Sequence, residues 1–208
     1  MQNLKGVFVL LLACFAGALM AAGEPALEAF LTRLKPLGQS RTLLAQYTQT
    51  RHISDLDFDL VVKGSLAQEQ DRRLAWITET PLKTVCLFTP DSFRMWDAES
   101  GRTNTLNAAK YPWIRMIFEM QSAWMGGKAE ALKRNFSLRL LDDRTLELTP
   151  TAQGGAGLFF TRIVLVMAPD FLSVQKVVFT EKTGDTITLV FTDVRRNAPI
   201  PETTWRLP

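Results

Sequence analysis

The stretch Leu60-Val-Val-Lys-Gly-Ser-Leu66 decides the fold class. Its apolar side chains recur at every second position, which is typical of a strand with one buried face. Similar runs lie before and after it, and Asp, Pro or Gly residues separate them. The predicted strands are Leu43–Ile53, Phe58–Gln68, Arg73–Thr78, Lys83–Phe88, Ser92–Asp97, Ser137–Leu141, Thr145–Thr149, Leu158–Met167, Val174–Thr180 and Thr186–Val194.

These runs follow one another without the strand–helix alternation of a parallel sheet, so the sequence predicts one large antiparallel sheet in a mainly β protein. A sheet with so many strands should curl. Two amphipathic helices are available to cover its concave face. The first is predicted over Pro25–Leu34 and ends before Pro36 and Gly38.

The second helix is predicted over Trp113–Met125, after Pro112 and before Gly126-Gly127. At helical period one of its faces carries indole, thioether and aliphatic side chains, namely Trp113, Met116, Ile117, Met120 and Trp124. Methionine adapts to irregular apolar partners. Two interpretations therefore stay open, an ordinary buried helix and a lid over an apolar cavity. Another helical turn is predicted over Lys128–Arg134.

The N-terminus has the pattern of a secretory signal peptide over residues 1–22. Lys5 supplies the positive charge, an apolar run extends from Val7 to Leu19, and small residues precede a predicted cut after Ala22. Residues 23–208 then form a single predicted domain in the periplasm. Lipidation of Cys14, which follows Leu11-Leu-Ala13, is the weaker alternative.

Composition and motifs argue against several classes of function. The chain has 24 Lys and Arg against 21 Asp and Glu, which does not favour nucleic-acid binding. His52 is the one histidine, and Cys86 is the one cysteine after the signal, so no metal site is expected. Cys86 lies in an apolar run that predicts a buried thiol rather than a nucleophile. Phosphate loops and nucleophile elbows do not occur, so we expect no cofactor, no catalytic residues and no enzyme.

A set of short motifs in a fixed order resembles a known family. They are Tyr47-Thr-Gln49, Gly64-x-Leu66, Arg73-Leu-Ala-Trp76, Pro81, Leu148-Thr-Pro150, a strand pair around Glu181–Phe191, and Ile200-Pro-x-x-x-Trp205. Their order and spacing are similar to those of the LolA-type periplasmic lipoprotein carriers and their LolB-like relatives. The resemblance covers essentially the whole chain after the signal.

The resemblance implies a half-open barrel made by a single curved antiparallel sheet, with helices as a lid over an apolar cavity. It implies a monomeric carrier that accepts acyl chains of a lipoprotein, or of a related lipid or glycolipid, from an inner-membrane exporter. The acceptor would lie at the outer membrane. Two alternatives stay open: a membrane-anchored LolB-like acceptor module, and an enzyme acting on a lipid-like substrate.

Two groups of site residues follow. The predicted acyl-binding cavity is lined by Trp76, Phe88, Trp96, Trp113, Met116, Ile117, Met120 and Trp124. In the carriers an arginine six residues after the glycine corresponding to Gly64 helps hold the lid closed. Gln70 occupies that position here, so the latch candidates are Gln70, Arg72 and Arg73. If the strand continued through them, Arg72 would share the face of Gln70 and Arg73 would not.

Overall fold

The computed structural model describes residues 24–152 and 155–208. The predicted signal peptide and Cys14 lie outside the described residues. Within the described part of the chain, no helix is both long and apolar enough to cross a bilayer.

The described chain is built on one sheet of eleven strands. They are β1 Thr42–Ile53, β2 Phe58–Glu69, β3 Arg73–Thr80, β4 Thr84–Phe88, β5 Ser92–Asp97, β6 Thr103–Asn107, β7 Phe136–Asp142, β8 Thr145–Pro150, β9 Phe160–Met167, β10 Val174–Glu181 and β11 Thr186–Arg196. Every paired neighbour is antiparallel.

The strand order is β6-β5-β4-β3-β2-β1-β11-β10-β9-β8-β7. The two halves of the chain are joined in the sheet through β1 and β11, while β6 and β7 are its two edges in the described residues. The sheet therefore does not close into a complete barrel. The predicted fold class, a single antiparallel sheet forming a half-open barrel with helices over one face, is confirmed.

Three α-helices accompany the sheet in the described ranges. Helix α1 covers residues 24–33, α2 is Trp113–Met125 and α3 is Ala129–Asn135. Short 3₁₀ helices occupy Lys35–Gln39, Ser54–Leu56, Gly155–Leu158 and Glu202–Trp205. The inner face of the sheet is the face that α1 and α2 cover, and the main core lies between them.

The two sheet faces can be followed by register. Leu66, Trp76 and Cys86 are paired across β2, β3 and β4, and they pack with the main core on the inner face. Ala67 and Ala75 therefore point to the opposite, outer face. A smaller apolar cluster forms there beneath a C-terminal strap, which we define as residues 199–207. Its strap members are Ile200, Trp205 and Leu207.

The structure corrects two details of the predicted elements. Strand β6, Thr103–Asn107, was missed because its sequence Thr-Asn-Thr-Leu-Asn lacks an apolar alternation. It is an edge strand and most of it is exposed, so little burial was required of it. The predicted strand Leu158–Met167 begins later, at Phe160, because Gly155–Leu158 forms a 3₁₀ turn.

Candidate functional site

The main apolar cavity lies between α2 and the inner face of the sheet, with a volume of about 470 Å³. Aromatic, aliphatic and thioether side chains form most of its lining, and two glutamines and one cysteine complete it. Ligand pockets usually measure roughly 300–1,000 Å³ and are lined predominantly by apolar groups. The cavity therefore has the size and the chemistry of a site for an apolar ligand.

Helix α2 contributes one continuous face to the cavity. The side chains of Trp113, Met116, Ile117, Met120 and Trp124 all line it. Their spacing places them on one side of a helix, while Ile114 and Phe118 are buried in the main core. Of the two interpretations of this helix, the cover of an apolar cavity agrees with the structure.

Strands β3, β4 and β5 form one wall. Trp76 and Phe88, both predicted, line the cavity together with Phe93, which the sequence analysis missed. The Phe88 and Phe93 rings lie 4.7 Å apart between centroids, and Phe93 lies 5.6 Å from Trp113 of α2. This aromatic chain connects the sheet wall to the N-terminal end of α2.

The opposite wall comes from the second half of the sheet and from the turn before β9, and it was not predicted. It consists of Phe159, Phe160, Phe179, Ile187 and Leu189. The Trp124 and Phe179 rings are 5.5 Å apart, which connects this wall to the C-terminal half of α2. The sequence offers one signal for part of this wall. Ile187 and Leu189 are two residues apart on β11, so their side chains point to the same face of the sheet.

Trp96 is a correction, because it does not belong to the cavity lining. Its register partner on β4 is Val85, whereas the cavity residues Phe88 and Phe93 are paired with each other. Phe93 and Trp96 are three positions apart on β5, so their side chains point to opposite faces. Trp96 packs in the outer-face cluster beneath the strap.

Three less apolar groups line the cavity. Gln49 projects from β1 and Gln121 from α2, and Gln121 is only 4% exposed. Cys86 also lines it, and burial raises the pKa of its thiol to about 11. The thiol therefore stays protonated near neutral pH, which agrees with an inert side chain.

The C-terminal end of α2 packs against the turn between β2 and β3. A side chain at Gly126 would meet Nε2 of Gln70 at 2.6 Å, so the amide lies directly against the backbone at the helix end. One residue beyond Gly127, Lys128 forms an ion pair with Asp71 of the same turn. Gln70 is thus the one latch candidate that contacts the end of the helix.

Arg72 and Arg73 are placed differently from the expectation. Asp71 has a φ of +58°, so residues 70–72 form a turn and the strand does not continue through them. Arg72 is largely exposed and contacts Glu69, with Nη1 3.1 Å from the carboxylate. Arg73 binds Glu69 and Glu202 and lies over the Trp205 ring, so it holds the strap instead of the helix.

The remaining titratable candidates have structural partners. His52 Nδ1 lies 2.9 Å from Asp59 Oδ1 on the neighbouring strand, in an exposed position. Asp142, the last residue of β7, accepts a hydrogen bond of 2.9 Å from the Arg144 amide in the β7–β8 turn. Among the described residues, no group of three or more His, Cys, Asp or Glu side chains is arranged to hold a metal ion.

Comparison with solved structures finds chains of the same fold at low identity. An uncharacterised conserved protein from Thermus thermophilus is 13% identical, with a TM-score of 0.51 over 87% of this chain and 93% of its own. A DUF1329 family protein from Desulfovibrio piger is 8% identical, with a TM-score of 0.50 over 86% and 95%.

A LolA superfamily protein from Nitrosomonas europaea is 10% identical, with a TM-score of 0.46 over 86% of this chain and 97% of its own. No protein-family model and no curated protein matches the sequence. The likeness to the Thermus and Desulfovibrio proteins establishes a shared fold for the described chain.

Proposed function

We propose that this protein is a carrier that holds the acyl chains of a lipoprotein or a related lipid in the cavity beneath α2. The observation that carries the proposal is the cavity itself, with about 470 Å³ of space and a lining that is almost wholly apolar. A lipid chain exposed to water loses about 0.8 kcal/mol per methylene, so a carrier must shield it from solvent. Methionine and tryptophan side chains on α2 suit such a ligand because they adapt to different chain shapes.

We propose further that the carrier works in the periplasm as a single domain, residues 23–208, after removal of the signal peptide. The motifs that resemble LolA-type carriers support transfer from an inner-membrane donor to an outer-membrane acceptor. The sequence contains no phosphate-binding loop, so the direction of transfer would come from an acceptor that binds the cargo more tightly. Trp76, Phe88, Trp113, Met116, Ile117, Met120 and Trp124 are the proposed acyl-binding residues.

The sharpest test is Met120→Asp, which places a carboxylate in the apolar lining. We expect the variant to lose binding of a fluorescent fatty acid, because an unpaired charge beside an acyl chain costs several kcal/mol. Fluorescence titration of the purified protein measures the loss. Met120→Leu is the matched control, since it keeps an apolar side chain of similar volume and should bind within a few-fold of the wild type.

The proposal would be wrong if Met120→Asp folded normally and still bound the probe with wild-type affinity. Far-ultraviolet circular dichroism and urea unfolding establish that the variant is folded before the titration is interpreted.

A further inference from the structure

The cavity contains one deeply buried polar group whose hydrogen-bonding capacity is only half used. Gln121 lines the cavity from α2 and is 4% exposed. Its Oε1 accepts a hydrogen bond of 3.1 Å from Trp124 Nε1. Its Nε2 is buried and has no partner among residues 24–152 and 155–208.

The orientation of this amide is fixed by chemistry. The indole N–H of Trp124 can only donate, so it must face the oxygen of Gln121 and not the nitrogen. The amide NH₂ group is then left as a buried donor without an acceptor, on a side chain that lines the cavity together with Gln49 and Cys86. A buried donor without an acceptor is unfavourable, and a ligand that brings an acceptor removes that penalty.

The ligand of an apolar cavity can bring such an acceptor in only a few ways. A saturated alkyl chain offers none, and an ether oxygen is a weaker acceptor than a carbonyl. The carbonyl of an ester- or amide-linked acyl chain is a strong acceptor and is attached directly to the apolar part of the lipid. It can therefore enter beneath α2 together with the first methylenes of the chain.

We infer that Gln121 donates a hydrogen bond from Nε2 to the carbonyl oxygen of a bound acyl chain and selects acyl lipids over alkyl lipids. The inference rests on the proposed function, because it presumes that the cavity holds a lipid chain. Gln121 is then a specificity-determining residue, while the apolar lining supplies most of the affinity.

Two lysophosphatidylcholines of equal chain length test this inference, one with an ester-linked chain and the other with an ether-linked chain. Both are used below their micelle concentrations as competitors of a fluorescent fatty acid. The wild type should bind the ester about tenfold more tightly than the ether, which is the effect of one well-formed hydrogen bond. In Gln121→Met, which replaces the amide by an apolar side chain of similar length, the ratio should fall to about one.

Gln68→Met is the matched control. Gln68 is equally buried, at 3% exposed, and its Oε1 lacks a partner in the described part of the chain, but it does not line the cavity. This variant should keep the wild-type preference for the ester.

The outcomes separate the inference from the proposed function. If the wild type bound both lipids tightly and equally, the inference about Gln121 would be wrong while the carrier proposal would stand. This comparison uses the wild-type protein only. A preference for the ester that survives in folded Gln121→Met would also overturn the inference. If neither lipid displaced the probe, the carrier proposal would fail together with the inference.

Discussion

At the scale of single residues, the direction of a side chain on its strand decides whether it takes part in the site. Trp76 and Trp96 are both half-buried tryptophans on neighbouring parts of the sheet, yet they lie on opposite faces. Trp76 stacks near Tyr47, with ring centroids 4.9 Å apart, and borders the cavity. Composition alone does not distinguish the two residues, whereas the register of β4 and β5 does.

This pair offers a matched test of the cavity. Trp76→Ala should weaken binding of the fluorescent fatty acid by about tenfold or more, because a large aromatic contact with the ligand is lost. Trp96→Ala should leave the affinity within about twofold, although it should lower stability by removing contacts beneath the strap. Fluorescence titration gives the affinities and urea unfolding gives the stabilities. Equal losses of affinity in the two variants would show that the effect is one of folding and not of ligand contact.

Much of the site could be predicted from the sequence at this scale, and the limits have physical causes. The helical face of α2 was found because its residues share a clear period. Trp96 was predicted in place of Phe93, although the two are three positions apart on β5 and only one of them can face inward. Gln121 was missed because the cavity residues of α2 were predicted from apolar side chains at helical spacing, and glutamine is polar. Only the contact with Trp124 shows that, among the described residues, its NH₂ group lacks a partner.

At the scale of elements, the arrangement of α2 depends on how its C-terminal end meets the rest of the fold. Gly127 has a φ of +59° and lies so close to the end of α1 that a side chain there would meet the Leu34 carbonyl oxygen at 2.1 Å. The helix end is thereby packed against two elements, the segment after α1 and the β2–β3 turn. Gly126 and Gly127 predict a helix end, but the backbone that lies against them is visible only in the structure.

A pair of glycine substitutions measures the close approach at the end of α2. Gly127→Ala should lower the free energy of unfolding by about 3–5 kcal/mol, from a strained left-handed conformation and from overlap with the Leu34 carbonyl. Gly101→Ala is the control, because Gly101 has a similar φ of +63° but no described atom lies within 4 Å of the added side chain. It should cost only about 1–2 kcal/mol.

Urea unfolding of both variants gives the comparison. If both lost the same stability, the contact between Gly127 and Leu34 would contribute nothing beyond the backbone conformation.

The arginine latch expected from the resemblance has no counterpart at Arg72 and Arg73, because the turn at Asp71 redirects both side chains. Such a turn of three residues is a local feature that the alternation of the flanking strands does not reveal.

At the scale of the whole molecule, the two faces of the sheet pack against different parts of the chain. The inner face holds the core and the cavity, and the outer face of β2–β5 is covered by the strap. Ten of the eleven strands were predicted from their apolar patterns, whereas their order in the sheet comes from the structure. The strap was quoted only as a motif around Ile200 and Trp205, because its partners are more than a hundred residues away in sequence.

The strap is held by a cluster of charges around Arg73. The guanidinium donates hydrogen bonds to Glu69 and to Glu202, with distances of 2.8 and 2.9 Å, and lies 4.3 Å from the centre of the Trp205 ring. The hydrogen bonds from Arg73 lower the pKa of both carboxyl groups, more than burial raises it. Because both pKa values are lower in the folded protein, the ionised carboxylates stabilise it, and this contribution is lost as pH falls below the usual value of 4.5.

Glu202→Gln should therefore flatten the acid side of the stability profile. Between about pH 5 and pH 3 the wild type should lose more of its unfolding free energy than the variant does, since the variant has one fewer carboxylate to protonate. Urea unfolding at several pH values measures both slopes, and Glu99→Gln in the exposed β5–β6 turn is the control, because it removes a carboxylate that lies away from the strap. The affinity for the fluorescent fatty acid near neutral pH should not change, because the strap and the cavity lie on opposite faces. If the unfolding free energy of the variant fell with pH as steeply as that of the wild type, the Arg73–Glu202 pair would not stabilise the strap. A large loss of affinity for the fatty acid would show that the two faces of the sheet are coupled.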